Sequence, residues 1–321
     1  MKYFAWLTLA ILVALPFSIT AQRSFDVDIL ADTFGFDSTT KKTVELDQLQ
    51  QGCGERDCIP SIDAPKYVSA ANATHIAHDA IVITLAYKGE YRAYPARILD
   101  QHEIVNDIIA GNPIAITWCP LCGSAVGIHR DIAGKVTEFG VSGVLYNSDL
   151  VLYDRATETL WDQIEAKGIV GPMTGEKLRL FPVSVSTWQR WRVAHPDTLA
   201  LSADTGFAYD YSRDNYASYR DTTGLMFPVA TTNNSVHAKT VVFGFDLGAF
   251  TVAYPAELLQ EENVYRHELQ GSEAIIALHD DGSVTMRRNG KTHTPTRLFW
   301  FAWFTFHPET ELVRLAPAGK P

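Results

Sequence analysis

The chain carries one pattern twice, and this constrains its fold more than its composition does. Ala93-Tyr94-Pro95-Ala96 recurs as Ala253-Tyr254-Pro255-Ala256. Trp188-x-x-Trp191-x-x-x-His195-Pro196-Asp197-Thr198 recurs as Trp300-x-x-Trp303-x-x-x-His307-Pro308-Glu309-Thr310. A constant offset of 160 holds from Ile81/Val241 through Gly111/Gly271. Two diverged repeats of one unit are therefore expected. Residues common to both should serve the fold, and polar residues found in one alone are the better candidates for chemistry.

Each repeat opens as strand, turn, strand: Ile81 to Ala86, Lys88-Gly89 and Tyr91 to Tyr94, then Val241 to Phe245, Gly248 and Phe250 to Tyr254. The Tyr-Pro step predicts a short helix over Ala96 to Glu103 and over Ala256 to Glu262, because proline lacks a donor that a helix start leaves unpaired anyway. Ile114 to Trp118, Ser124 to Ile128 and Ala274 to Leu278 read as strands. Trp188, Trp191 and His195 share one face of a helix capped by Thr187, which predicts a core-facing aromatic stripe. The two histidines before proline are expected to satisfy backbone groups near the helix ends. Tyr94 and Trp188 lie 94 residues apart, whereas Tyr254 and Trp300 lie 46 apart. The first repeat therefore carries an insertion of about 48 residues, roughly 139–186. The expected order is a leader at 1–21, an N-terminal lead at 22–79 packed on the core, repeat one at 80–234 and repeat two at 235–321. The expected fold is one compact α+β body, rich in β.

Of the 321 residues, 46% are hydrophobic and 20% charged, the balance of a globular chain. Met1-Lys2, an apolar run from Tyr3 to Phe17 and Ser18-Ile19-Thr20-Ala21 read as a secretory signal cleaved after Ala21. That predicts a periplasmic or extracellular protein. The run falls short of the ~20 apolar residues that span a bilayer, so no membrane span is expected after signal removal. A net charge of -10 without any basic run argues against nucleic acid and leaves a small ligand or a protein as partner.

At the offset of 160, Cys119 faces His279, Cys122 faces Gly282, His102 faces Glu262 and Glu103 faces Asn263. Asn106 and Asp107 face Arg266 and His267. The first repeat thus holds His102, Glu103, Asn106, Asp107, Cys119 and Cys122 as its own, and its insertion adds Ser142, Tyr146, Asn147, Ser148, Asp149, Asp154 and Arg155. Cys119-Pro120-Leu121-Cys122-Gly123 is similar to the knuckle that supplies half of a rubredoxin or zinc-ribbon site. Proline pre-sets one φ, and glycine accepts a left-handed turn after the second thiol. Zinc, iron or copper would suit such a pair, and a structural zinc site usually needs four ligands. His102 leads for the next ligand, with His129, His279, Cys53 and Cys58 as alternatives. The same two thiols also fit a redox dithiol, an inert disulfide or a nucleophile. A strand rather than a helix after Gly123 weakens the dithiol context. Cys53 and Cys58, in a polar turn of an exported chain, are expected to form a local disulfide. Val144 spoils a nucleophile elbow, and neither a phosphate-cradling loop nor His-Glu-x-x-His occurs.

Several of these residues fall in one ordered set of motifs. Arg92-Ala93-Tyr94-Pro95, His102-Glu103-Ile104-Val105-Asn106-Asp107, Cys119-Pro120-Leu121-Cys122-Gly123, Ser142 to Asp149 and Tyr153-Asp154-Arg155 resemble the bacterial family called domain of unknown function 3179. The resemblance runs from about Gly52 to Thr310. It implies no activity, but its signature residues coincide with those unique to the first repeat. The family often has glycines where this chain has Cys53 and Cys58, which marks that pair as an optional staple.

The sequence thus predicts an exported protein with a metal- or ligand-binding site at Cys119, Cys122 and His102. Glu103, Asn106, Asp107, Ser142, Tyr146, Asn147, Asp149, Asp154 and Arg155 would contact the ligand or support the site. One alternative is a thiol-disulfide oxidoreductase, which needs an accessible, reducible Cys119/Cys122 pair. Another is a non-enzymatic binding module, which needs an exposed aromatic cleft.

Overall fold

Short runs of β-branched and aromatic residues, broken every few positions by turn residues, favour strands over helices. The computed structural model is accordingly 40% strand and 13% helix. It describes residues 27–259 and 263–314, so the expected leader at 1–21 and the end of the expected helix over Ala256 to Glu262 lie outside the described residues. No helix among the described residues is long and apolar enough to cross a membrane.

Five sheets of four or five strands make up a compact body that resembles a five-bladed propeller. Sheet I orders its strands Ser184–Thr187, Ile81–Tyr87, Glu90–Pro95, Leu199–Leu201 and Tyr67–Ser69. Sheet II orders Leu180–Phe181, Ser124–His129, Asn112–Cys119 and Ile104–Ile109. Sheet III orders Leu49–Gln51, Phe139–Tyr146, Asp149–Asp154, Leu160–Asp162 and Lys167–Val170. Sheet IV orders Thr296–Phe299, Val241–Asp246, Thr251–Pro255 and Glu311–Leu312, and sheet V runs in sequence order from Val264–Leu269 to Lys291–His293.

Sheets I and IV pair in the same register. Ile83 faces Tyr94 as Phe243 faces Tyr254. Ile81 faces Thr187 as Val241 faces Phe299, and a parallel strand sets Ala200 beside Ala93 and Leu312 beside Ala253. The Trp-x-x-Trp segments form the helices Trp188–Ala194 and Trp300–Phe306, with all four tryptophans buried. Thr187 caps the first by accepting from the Arg190 amide. In both, the second tryptophan donates its indole N–H to the threonine that ends the motif: Trp191 to Thr198 at 2.9 Å and Trp303 to Thr310 at 2.8 Å. A buried indole N–H needs an acceptor, which explains why that threonine recurs. The histidines behave otherwise than expected. His195 stacks on Tyr91 and reaches Asp281 at 3.5 Å, while His307 reaches Glu165 at 3.3 Å. Each ring tip leaves its own helix for a carboxylate on a different sheet, and only the histidine's backbone amide closes the helix end.

Two other expectations need correction. Within the N-terminal lead, where the sequence offers a short helical candidate around Val44 to Gln50, the structure has a single 3-10 turn, Leu46–Gln48, that runs into the edge strand Leu49–Gln51. The N-terminal helix is instead Val27–Phe34, whose Leu30 and Phe34 pack with Phe36 on sheet III. The helix expected over Ala96 to Glu103 stops at Leu99, and Asn106 and Asp107 lie on the strand Ile104–Ile109.

Three cores hold these sheets together. Sheets I and II share one around Ile83, Tyr94, Ile116 and Phe181, and sheets IV and V share another around Phe245, Tyr254 and Met286. The largest joins sheets II, III and IV, and it contains Cys119, Cys122, Phe139, Trp161, Phe299 and Trp303. The cysteine turn therefore sits where three sheets meet.

Candidate metal centre

The turn joins Asn112–Cys119 to Ser124–His129, with Cys119 facing Ser124 across the ladder. Gly123 has φ +60, the left-handed turn expected there, and a Cβ at that position would meet the Phe299 ring at 3.0 Å. Three successive carbonyls are tied down from outside the sheet. Leu121 O accepts from the Tyr219 hydroxyl at 3.1 Å, Cys122 O from the Phe299 amide at 2.7 Å, and Gly123 O from Arg297 Nη1 at 2.9 Å. A turn held this way presents its side chains in one fixed geometry. Both thiols are buried and not disulfide-bonded, and both approach Ser148 O, at 3.9 Å from Cys119 Sγ and 3.4 Å from Cys122 Sγ.

Sheet III supplies the opposing wall. Its strands Phe139–Tyr146 and Asp149–Asp154 are joined by Asn147 and Ser148 at φ 52° and 64°. Two left-handed residues in a two-residue loop match the twist of a hairpin. Asn147 Oδ1 fixes the tip by accepting from the Ala230 amide at 2.8 Å. The next residue, Asp149, is fully buried, and one of its oxygens lies with Sγ of Cys119 and Sγ of Cys122 within 4.8 Å of one another. Asp149 Oδ2 accepts from the Ile164 amide at 3.1 Å, whereas Oδ1 is buried with no hydrogen-bond partner.

The charge balance of this pocket is one-sided. Burial pushes the Asp149 carboxyl well above the usual carboxylate range, and the neighbouring Cys119 adds to the shift. Burial, then Cys119 and Asp149, raises the Cys122 thiol. Asp162 is raised by burial and by Asp149, and its Oδ2 also lacks a partner. Glu103, in a left-handed conformation at φ 57°, is pushed up to about 8 by burial first and then by Asp149 and Asp100. Among the described residues no lysine, arginine or histidine forms a salt bridge with Asp149, Asp162 or Glu103. Acids crowded in low dielectric without a base must either keep their protons or share a bound cation.

The remaining expected site residues are distributed elsewhere. Both ring nitrogens of His102 are engaged, Nδ1 with Pro60 O at 2.7 Å and Nε2 with the Tyr211 hydroxyl at 2.5 Å, so Asp149 stands beside the thiols where His102 was expected. Asn106 donates to Phe139 O and accepts from Phe139 N, both at 2.9 Å, and so pins the strand Phe139–Tyr146 of sheet III to sheet II. Asp107 accepts the hydroxyls of Tyr67 at 2.6 Å and Tyr94 at 2.5 Å. Ser142 bonds to Val151 O at a bulge in its strand. Asp154 closes its own turn and accepts from the Trp161 indole at 3.0 Å. Arg155 ties Asp63 and Glu138 together, and Tyr146 packs against Phe306. Cys53 and Cys58 form the expected disulfide. Their loop lies on Gly143, whose φ is +88° and where a Cβ would meet Glu55 O at 2.7 Å, so no side chain fits. Sequence reasoning did not single out Tyr216 and Tyr219. Tyr216 is half-buried against the core that contains both cysteines, and burial, with the neighbouring Glu103 and Cys119, raises its hydroxyl. Nothing local in the sequence links either tyrosine to a turn about a hundred residues earlier.

Fold and site together define a β-rich, propeller-like protein with a buried dithiol–carboxylate cluster at a junction of sheets. The family model described as protein of unknown function (DUF3179) matches residues 56–296, and the chain belongs to that family. No curated protein and no solved structure matches the chain.

Proposed function

We propose that this chain is an exported protein that binds one transition-metal ion through Cys119, Cys122 and Asp149. The observation that carries the reading is the convergence of these three buried acids without a basic partner, with Asp149 Oδ1 left unbonded. A divalent cation would neutralise the cluster and give that oxygen a partner. Two thiolates and a carboxylate suit zinc, iron or copper better than the hard, oxygen-seeking cations. Glu103, whose carboxyl is raised by burial and in part by Asp149, would tune the site's charge.

The redox reading is weaker. A dithiol that attacks disulfides needs an exposed thiol with a lowered pKa. Cys122 is fully buried and its thiol is raised. The Cys53–Cys58 disulfide and the signal-like start support export to an oxidising compartment. We further infer that sheets I and II and sheets IV and V descend from one duplicated unit, with sheet III added; the shared registers of sheets I and IV support this.

Elemental analysis of the protein purified from its export compartment tests the metal reading. One ion per chain is expected, with none in the Cys119→Ser/Cys122→Ser double variant. Unchanged stoichiometry in that variant would refute it. Mass spectrometry of the same sample reads the N-terminus, which is expected at Gln22.

A further inference from the structure

Behind the cysteine turn lies a second feature that the metal reading does not use and on which it does not depend. A cavity of about 930 Å³ opens between sheets I and IV, and Pro120 and Gly123 of the turn form part of its wall. That volume is in the range of small-molecule sites.

The charges around the cavity are sorted by depth. Arg297 enters it from the strand Thr296–Phe299, where the matching position of sheet I holds Val185, so the framework itself does not call for a cation. Arg297 donates to Gly123 O and has no carboxylate partner among the described residues. The charged side chain acting on it is another cation, Arg220, which lines the same cavity. Arg220 shares the single carboxylate of Asp214 with Arg97, so that trio keeps a positive charge in excess. Lys239 is held by the carbonyls of Tyr219, Thr222 and Gly224 at 2.6 to 2.7 Å, which solvate its charge but do not cancel it. The acids Asp79 and Asp210 lie at the exposed rim. Asp100, the acid farther in, accepts from the Trp118 indole at 2.8 Å, and burial raises it to about 6.

Arg297, which has no carboxylate partner, and Arg220, whose partner Asp214 is shared with Arg97, line one cavity and repel each other, and an anion placed beside Arg297 relieves that repulsion. A guanidinium fork matches the planar geometry of a carboxylate. Phe299, Trp118, Ile81 and Val241 give the rest of the wall an apolar and aromatic character. We propose that this cavity is a binding site for a small organic carboxylate, received by Arg297 and Arg220 with its hydrocarbon part against Phe299 and Trp118.

The test is calorimetric titration of the mature protein with benzoate, phenylacetate and succinate at fixed ionic strength, with benzamide as the uncharged control. Saturable binding of at least one carboxylate is expected, with a loss of roughly tenfold or more in affinity in Arg297→Gln, as for a lost charge-assisted bond. Absence of saturable binding by all three, equal binding of benzamide, or unchanged affinity in the variant would each overturn the proposal. Should Arg297→Gln fail to fold, phenylglyoxal labelling of the wild type decides. Carboxylate should slow modification of Arg297 and Arg220, and equal rates with and without it would be decisive against the site.

Discussion

Glu103→Gln in the metal-free protein offers the most direct check on the electrostatics of the cluster. The carboxyl titrates near 4.5 when unfolded and is raised to about 8 in the fold, chiefly by burial. Between those values the unfolded chain has released the proton and the native chain still holds it. Stability therefore falls as pH rises, by about 1.4 kcal/mol per unit, until it levels off above the folded value. Integrated from 4.5 to neutral pH, the cost is roughly 3 kcal/mol. Desolvation acts whether or not Asp149 is ionised, so most of this figure survives a protonated neighbour. Glutamine keeps the shape and cannot ionise. The variant should match the parent near pH 4.5 and exceed it by roughly 3 kcal/mol at pH 7, a midpoint shift of about 1 M in urea if the slope is roughly 3 kcal/mol/M. The assay is urea unfolding of both proteins at the two pH values after treatment with chelator. A stability difference that is the same at both pH values would refute the buried, uncompensated carboxyl.

The same protons govern metal uptake. Cys122 and Asp149 are both raised, so binding must displace protons, and affinity should fall steadily as the solution is acidified; titration calorimetry in buffers of different ionisation enthalpy reads that release, and binding without it would contradict the assigned ligands. Trp191→Phe and Trp303→Phe should each cost about 1–2 kcal/mol, because each leaves a motif threonine without its indole donor. Denaturant curves should give similar losses at the two sites, and a clear asymmetry would mean that the shared motif plays different parts in the two halves.

Much of the framework was legible because strand pairing leaves a local, periodic trace. The runs at Ile81 and Val241 and their returns at Tyr94 and Tyr254 are strands in the structure, and the Trp-x-x-Trp stripes are buried. The Cys53–Cys58 bond was legible because it closes a loop within a polar turn. The site was legible only in part. Cys119, Cys122 and Gly123 carry their geometry in their own spacing. Asp149 reaches them through a hairpin thirty residues farther on, and no spacing rule encodes that approach. His102 was drawn away by Tyr211, 109 residues distant, for the same reason. Helix length was overestimated after Tyr94-Pro95, since the following strand claims the backbone groups that a longer helix would need.

Differences between the positions that sheets I–II and IV–V place alike are of two physical kinds, and only one of them brings side chains into a candidate site. Asp107 and His267 differ in chemistry yet play one structural part, since each bonds the hydroxyl of its Tyr-Pro tyrosine, Tyr94 at 2.5 Å and Tyr254 at 2.8 Å. A buried phenol needs a partner, and either residue serves. Cys119 and Cys122 differ from His279 and Gly282 in another way. The turn holding His279 and Gly282 packs against sheet I, where Ser186 donates to Asp281 O at 2.7 Å, and a Cβ on Gly282 would strike Ser186 at 2.1 Å. The cysteine turn instead meets sheet III, an element that brings Asp149 and the Ser148 carbonyl to it. A polar residue unique to one half is therefore a strong site candidate only when the structure also gives it contacts that its counterpart lacks.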